Sequence, residues 1–255
     1  IPTAIHESNV KPGQTNKVLA RVVDKVLLGF ADGEKNFRQK EKLLHTGNPL
    51  REGMLFIKKS EAKKKLNMTK PLVYSFWGSL GAREMNKITA DLLEIEAKNP
   101  KWAHIHSTGS FGFGWMTELM KQKGVDFSES THLDMREYVF DAPIVMAAAD
   151  LVLCRAGSMT MSELCATGTP SIIIPSPNVA GKHQHQNARM LSDRGAAIFM
   201  EESECTAEKL AALIESLLND PERLASMRKA ALSLAVFDSR EKIYDYLMAL
   251  AKTKK

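Results

Sequence analysis

The sequence predicts an α/β fold built on parallel sheets, and three observations carry that prediction. Short apolar runs alternate with amphipathic stretches along all 255 residues. Most of those runs are continuous rather than alternating, as strands covered on both faces require. Glycine-containing turns follow several of them just where a helical pattern begins. With 44% hydrophobic and 25% charged residues, the chain has the balance of a globular protein with a sizeable core.

The expected strands are Thr3–His6, Lys25–Leu28, Leu43–His45, Leu72–Phe76, Ala103–His106, Leu151–Cys154, Ser171–Ile174 and Ala196–Met200. Between them, Asn16–Val23 and Arg83–Asn99 carry apolar positions at helical spacing, and a further helix is expected to open at Ser162–Ala166. Thr206 reads as the cap of a helix running through Leu218. Asp220-Pro221-Glu222 supplies a cap, a proline at the first helical position and an acid in the first turn. A last helix is expected from Asp238 to near Ala251, followed by a solvated tail from Lys252 to Lys255. The pattern breaks at Gly47-Asn48-Pro49-Leu50-Arg51, where proline and glycine precede a new βα series.

Charge and cysteine content exclude several classes of function. The net charge of +5 is a modest basic excess that does not choose among anionic partners. The lysines from Lys58 to Lys70 lack interleaved aromatic residues and any nucleic-acid motif, so they read as a solvated helix face. Cys154, Cys165 and Cys205 form no C-x-x-C pair and are read as reduced, buried thiols, with neither a disulfide framework nor a metal site. No apolar run approaches the ~18 residues that span a bilayer.

Three stretches carry candidate chemistry. In the first, strand Leu72–Phe76 runs through Trp77-Gly78-Ser79-Leu80-Gly81-Ala82 into a helix at Arg83. Free N–H groups and the helix dipole favour an anion there, and the Ser79 hydroxyl can donate to a phosphate oxygen; an ordinary tight turn is the alternative. In the second, strand Leu151–Cys154 leads into Arg155-Ala156-Gly157-Ser158-Met159-Thr160-Met161-Ser162-Glu163. Glu163, read in the first turn of the helix, can accept hydrogen bonds from both ribose hydroxyls of a nucleotide. Thr160-x-x-Glu163 is also a capping box, and spacing alone leaves both readings open. In the third, His183-Gln184-His185-Gln186-Asn187-Ala188 follows strand Ser171–Ile174, at the carboxyl edge where open α/β sheets bind ligands. Without a nearby carboxylate or cysteine in sequence, sugar hydroxyl recognition through Gln184 fits this segment better than metal ligation.

Taken in order, five segments resemble the peptidoglycan transferase family called MurG, the UDP-N-acetylglucosamine–N-acetylmuramyl-(pentapeptide) pyrophosphoryl-undecaprenol N-acetylglucosamine transferases. They are His6-Glu7-Ser8-Asn9, Gly47-Asn48-Pro49-Leu50-Arg51, Gly78-Ser79-Leu80-Gly81-Ala82-Arg83, Arg155 to Glu163, and His183-Gln184-His185-Gln186-Asn187-Ala188. The resemblance runs from Ile1 to about Leu250. It implies a GT-B glycosyltransferase with two Rossmann-like domains. Residues 1–51 would be the second half of the N-terminal domain, 52–237 the donor domain, and 238–255 a C-terminal helix and tail packing back toward the N-terminal domain.

The implied reaction is an inverting transfer of N-acetylglucosamine from UDP-N-acetylglucosamine to undecaprenyl-pyrophosphoryl-muramyl-pentapeptide, at the cytoplasmic face of the cell membrane. It implies no cofactor, no metal and no nucleic acid. Carried over by position, Asn9 lies on the N-domain side of the donor site and Arg51 contacts the donor. Ser79 meets the diphosphate, and Val139 takes the position whose backbone recognises uracil. Ser158, Met159, Thr160, Met161 and Ser162 line the diphosphate turn, Glu163 holds the ribose, and Gln184 reads the sugar hydroxyls.

Departures from the family pattern matter. Ser8 stands where the family usually has glutamine, and Trp77 where it usually has glycine. The opening Ile1-Pro-Thr-Ala-Ile5 reads as a buried strand, so the first half of the N-domain is expected to lie outside these residues, with the acceptor loops and the general base. The 255 residues alone are then expected to bind donor without transferring sugar. His6 and Glu7 remain cleft candidates for the base, against a structural role for the histidine. Two rival readings are a UDP-N-acetylglucosamine 2-epimerase-like enzyme, which would need acid/base carboxylates in the cleft, and a donor-binding module that needs a partner chain.

Overall fold

The computed structural model describes residues 1–128 and 130–252, with only the backbone at Ala180. The expected solvated tail falls largely on 253–255, outside the described residues. Two parallel sheets form. The first pairs β1 (Ala4–Glu7), β2 (Lys25–Leu28) and β3 (Leu43–His45) in that order. The second comprises β4 (Leu72–Phe76), β5 (Ala103–Ser107), β6 (Leu133–Arg136), β7 (Leu151–Cys154), β8 (Ser171–Ile173) and β9 (Ala197–Phe199), in the order β6-β5-β4-β7-β8-β9. The helices are α1 (Gln14–Leu19), α2 (Glu52–Leu55), α3 (Lys59–Lys65), α4 (Arg83–Lys98), α5 (Phe113–Gln122), α6 (Ala142–Ala148), α7 (Ser158–Thr167), α8 (His183–Ser192), α9 (Ala207–Leu218), α10 (Pro221–Ser233) and α11 (Ser239–Lys252).

The second sheet is buried on both faces, which is why its strands read as continuous apolar runs. Leu72, Tyr74, Val152 and Cys154 pack with Met146 of α6, Leu164 of α7 and Leu191 of α8. The alternate residues Val73, Leu151 and Leu153 pack on the other face with Met85 and Leu92 of α4 and Leu210 and Ile214 of α9. All eight expected strands form, with boundaries shifted by a residue or so at β1, β5, β8 and β9. Strand β6 was not foreseen. It lies at the sheet edge, its sequence Leu-Asp-Met-Arg buries only Leu133, and Asp134 pairs with Arg136 along the strand at 2.6 Å.

Several helix expectations need correction. Helix α1 stops at Leu19 rather than running to Val23. Helix α7 opens at Ser158, four residues before the expected Ser162, because extended Gly157 takes the cap position and its carbonyl accepts from Met161 N at 3.0 Å. Thr160 and Glu163 therefore both lie inside α7, and the capping box does not form. The lysine-rich stretch is not uniformly solvated: Lys59 and Lys63 of α3 each reach Asp150 at 2.6 Å. The caps of α9 and α10 form as expected, Thr206 accepting from Lys209 N and Asp220 from Arg223 N.

Trp77 turns inward, away from the glycine turn. It is 3% exposed, packs among the residues between the sheet and α4, and donates from Nε1 to Thr89 Oγ1 at 2.9 Å. Beneath the same turn lies a buried polar chain that the sequence did not announce. Glu96 accepts from Trp102 Nε1 at 2.9 Å and sits 2.7 Å from His104 Nδ1. His104 Nε2 and His106 Nδ1 in turn lie 2.7 and 2.6 Å from the Ser75 hydroxyl. A Glu–His–Ser sequence of contacts resembles a hydrolytic triad, but Ser75, His104 and His106 have no solvent exposure, so no substrate reaches it.

The two sheets meet through side-chain amides. Asn187 Oδ1 accepts from Val10 N at 3.0 Å, and its Nδ2 donates to Asn9 Oδ1 and Ala156 O, both at 3.0 Å. Asn48 Nδ2 donates to Ser8 O at 3.1 Å and Ser162 Oγ at 2.9 Å. The start of α11 returns to the same junction, where Ser239 Oγ donates to Asn48 O at 2.9 Å.

Candidate nucleotide-sugar site

A cavity of about 180 Å3 opens at the carboxyl edge of the second sheet, where β4, β5 and β7 end. It is lined by Arg51, Tyr74, Gly78, Ser79, Tyr138, Val139, Thr160 and Glu163, among others. A larger cavity, about 720 Å3, lies beside the first sheet near Arg21, Phe37 and Arg38, remote from either glycine turn. The smaller cavity is the chemically relevant one, because two strand–turn–helix junctions converge on it.

The first junction follows β4. Gly78 and Gly81 adopt φ of +97° and +80°, the left-handed region that glycine enters without steric cost. At Gly81 the backbone also approaches the β5 end so closely that a Cβ would lie 2.2 Å from Thr108 O. A Cβ at Gly78 would meet nothing within 4 Å, which leaves the turn open on the cavity side. The turn is fixed to the next loop by Ser110 N donating to Ser79 O at 3.2 Å and Phe111 N to Leu80 O at 3.3 Å. The Ser79 hydroxyl makes no hydrogen bond among the described residues. Helix α4 starts at Arg83, so Ser79 presents itself from the turn rather than from the helix terminus.

At the second junction α7 starts directly after Gly157. Met161 N is spent on Gly157 O, which leaves the N–H groups of Ser158, Met159 and Thr160 without intrahelical partners. The dipole of α7 reinforces their positive character. One turn further along, Glu163 is partly buried and its carboxylate has no hydrogen bond or ion pair among the described residues. Burial pushes its pKa up, and the charge of Arg51 partly opposes that shift. Burial, and then the charge of Glu163, raise the Tyr74 hydroxyl too, so it stays protonated. A carboxylate held without partners beside free N–H groups is arranged to accept from hydroxyls while an anion binds alongside.

The remaining candidate residues are placed as follows. Val139 is 3% exposed, between the exposed rings of Tyr138 and Phe140. Met161 is fully buried in the core, and the Ser162 hydroxyl accepts from Asn48, so neither side chain faces the cavity. Gln184 Oε1 accepts from Ser176 N at 2.8 Å, which leaves Nε2 without a hydrogen bond among the described residues. Asn9 is held by Asn187 and by Glu7. Both oxygens of Glu7 are occupied: one accepts from Asn9 N at 2.9 Å, the other from Gly13 N at 3.1 Å and Asn16 Nδ2 at 2.8 Å. His6 Nε2 lies 3.1 Å from Gly47 O.

A carboxylate does approach His185, contrary to the sequence reading: Glu201 Oε2 is 3.1 Å from its Nε2. Sequence reasoning missed Tyr74 and Tyr138 as lining residues. The only available signal was their position, Tyr74 in the strand before the first glycine turn and Tyr138 beside Val139.

Residues 72–243 match the glycosyltransferase family 28 C-terminal domain. The chain is 40% identical over 256 residues to the UDP-N-acetylglucosamine–N-acetylmuramyl-(pentapeptide) pyrophosphoryl-undecaprenol N-acetylglucosamine transferase of Acetivibrio thermocellus, covering 100% of this chain and 68% of that protein. It is 42% identical over 252 residues to the protein of the same name from Caldanaerobacter subterraneus, covering 98% and 68%. Among solved structures it is similar to Acinetobacter baumannii MurG, with a TM-score of 0.74, 25% identity, and coverage of 98% of this chain and 68% of that one. The parallel sheets and their order are accordingly those of a GT-B glycosyltransferase. With this identity over its whole length, the chain belongs to the MurG family of glycosyltransferases.

Proposed function

We propose that the chain is the donor-binding part of an inverting N-acetylglucosaminyltransferase that moves the sugar from UDP-N-acetylglucosamine to the lipid-linked muramyl-pentapeptide of peptidoglycan synthesis. One observation supports this most: the cavity gathers Arg51, Ser79, Val139, Thr160 and Glu163 at two glycine turns, in a chain 40% identical to a relative of that name. The muramyl 4-hydroxyl attacks the anomeric carbon and gives its proton to a general base on the acceptor side, the bond from that carbon to UDP breaks, and the electron pair leaves on the diphosphate. Charge grows on that leaving group, so the Ser79 hydroxyl and the N–H groups of Ser158, Met159 and Thr160 stabilise the transition state more than the ground state. Arg51 adds a positive charge at the same place. Val139 offers its backbone to uracil, Glu163 its carboxylate to the ribose, and Gln184 its free amide nitrogen to the sugar. Asn9 orders the facing loop through Asn187.

We divide the chain into 1–51, the acceptor-side domain, 52–237, the donor domain, and 238–255, which returns to the first. In this reading the enzyme works at the cytoplasmic membrane surface as a peripheral protein. No helix among the described residues is long and apolar enough to cross a bilayer.

Calorimetric titration with UDP, ADP and GDP tests the donor site, and UDP is expected to bind at least tenfold more tightly than the purine diphosphates. Equal affinities would remove the uracil assignment at Val139. Incubating the full-length protein with UDP-N-acetylglucosamine tests the reaction: UDP release should require the lipid acceptor. Release of free sugar without acceptor would instead indicate epimerase-type chemistry.

A further inference from the structure

The opposite, amino-terminal edge of the second sheet carries a cationic cluster for which the transferase reaction has no use. Asp150, just before β7, accepts from Leu72 N at the start of β4 at 2.8 Å. The same carboxylate holds Lys59 and Lys63 at 2.6 Å each, and all three side chains are largely covered, at 30%, 25% and 17% exposed for Lys59, Lys63 and Asp150. A further cation, Arg228 of α10, lies partly buried within the field of the same Asp150 and makes no hydrogen bond or ion pair among the described residues. Lys59, Asp150 and Arg228 border a cavity of about 450 Å3 whose other wall is apolar, formed by Pro221, Leu224 and Leu232, with Lys229 on its rim.

One carboxylate cannot balance three partly buried cations. Burial pushes Lys59 down, Asp150 opposes that shift, and the neighbouring charges of Arg228 and Lys63 add to it. A dianion seated between Arg228 and Lys59 would relieve that repulsion. A guanidinium fork flanked by an ammonium group matches the tetrahedral oxygens of a phosphate better than a planar carboxylate. We propose that this cavity is a second anion site, which binds a phosphate group attached to an apolar moiety. It is separated from the donor cavity by the length of the strands, about 13–17 Å for four or five residues. The same chemistry is offered by a small phosphorylated molecule and by a phospholipid headgroup.

Inorganic phosphate, titrated at constant ionic strength into the protein saturated with UDP, is the direct probe. Wild type should bind one phosphate, and Arg228→Gln should weaken that binding at least tenfold while leaving UDP affinity within twofold. Lys229→Glu, an exposed change that does not threaten folding, should weaken it several-fold. Co-sedimentation with phosphatidylglycerol and phosphatidylcholine vesicles separates the sources. Pelleting with the anionic vesicles alone, lost in Arg228→Gln, identifies a lipid headgroup; phosphate binding without pelleting identifies a soluble phosphate. Equal phosphate binding by wild type and both variants, or none by wild type, overturns the proposal. Absence of UDP binding would sink the donor assignment but not this one, because the comparison between wild type and variants stands without UDP.

Discussion

At the scale of a single residue, the proposed ribose contact of Glu163 can be set against a purely structural role in its helix. A capping carboxylate stabilises its helix, whereas Glu163 sits within α7, partly buried, with no hydrogen-bond partner among the described residues. Its folded pKa is raised above the unfolded value by burial, against the opposing charge of Arg51. A raised carboxyl contributes stability that is fully present below the unfolded value, about 4.3 for glutamate, and is lost as pH rises through the folded value. Glu163→Gln should therefore raise Tm at pH 7 relative to wild type, with the difference vanishing near pH 4. The same change should weaken UDP binding by about 1.5–3 kcal/mol, the range for hydrogen bonds to a charged group. Melting curves across pH and one UDP titration check both, and a lower Tm at pH 7 would restore the capping role.

At the scale of elements, a buried hydroxyl bridges side chains of β4 and β5 beside their backbone ladder. Ser75 lies between His104 and His106, and the Glu96 contact fixes the direction of the chain. With His104 Nδ1–H donating to Glu96, its Nε2 accepts from Ser75, and the Ser75 oxygen accepts from His106 Nδ1–H. Burial, and then the neighbouring His104, lower the pKa of His106 to about 3, so it stays neutral in this chain at physiological pH. Ser75→Ala leaves the buried His104 Nε2 without a partner, at about 1–3 kcal/mol for an unsatisfied buried group, whereas His106 Nδ1 keeps the Ser75 carbonyl at 3.2 Å. Urea denaturation should show a loss of that order, and a loss below 0.5 kcal/mol would mean that the hydroxyl is dispensable. The strands themselves were legible because burial on both faces demands continuous apolar residues. Edge strand β6 was not, because a strand with one exposed face needs no such run.

At the scale of the whole molecule, Asn187 joins parts of the chain that sequence keeps far apart. It is fully buried, and its amide serves Val10 N, Asn9 Oδ1 and Ala156 O, linking the loop after β1 to the second glycine turn. Asn187→Ala should leave the Val10 N–H and Ala156 carbonyl unpartnered, destabilising the protein by about 2–4 kcal/mol. It should also weaken UDP binding through the α7 turn without removing any proposed ligand contact. Denaturation together with UDP titration checks this, and unchanged stability would show that the two sheets dock independently of the amide.

The sequence by itself determined the parallel α/β class, eight of nine strands and two glycine turns, because apolar periodicity and turn chemistry are local properties; of the cavity lining it picked out Arg51, Ser79, Val139, Thr160 and Glu163 but not Tyr74 or Tyr138. It also carried the family assignment, through five short segments in order. Only the tertiary structure decided that α7 begins at Ser158, that Trp77 faces inward, that the carboxylate of Glu7 is occupied, and that Lys59 and Lys63 share one aspartate with Arg228 in its field. Each depends on which distant groups compete for a hydrogen bond or a charge, and that competition is settled by packing between segments rather than by the residues of any one of them.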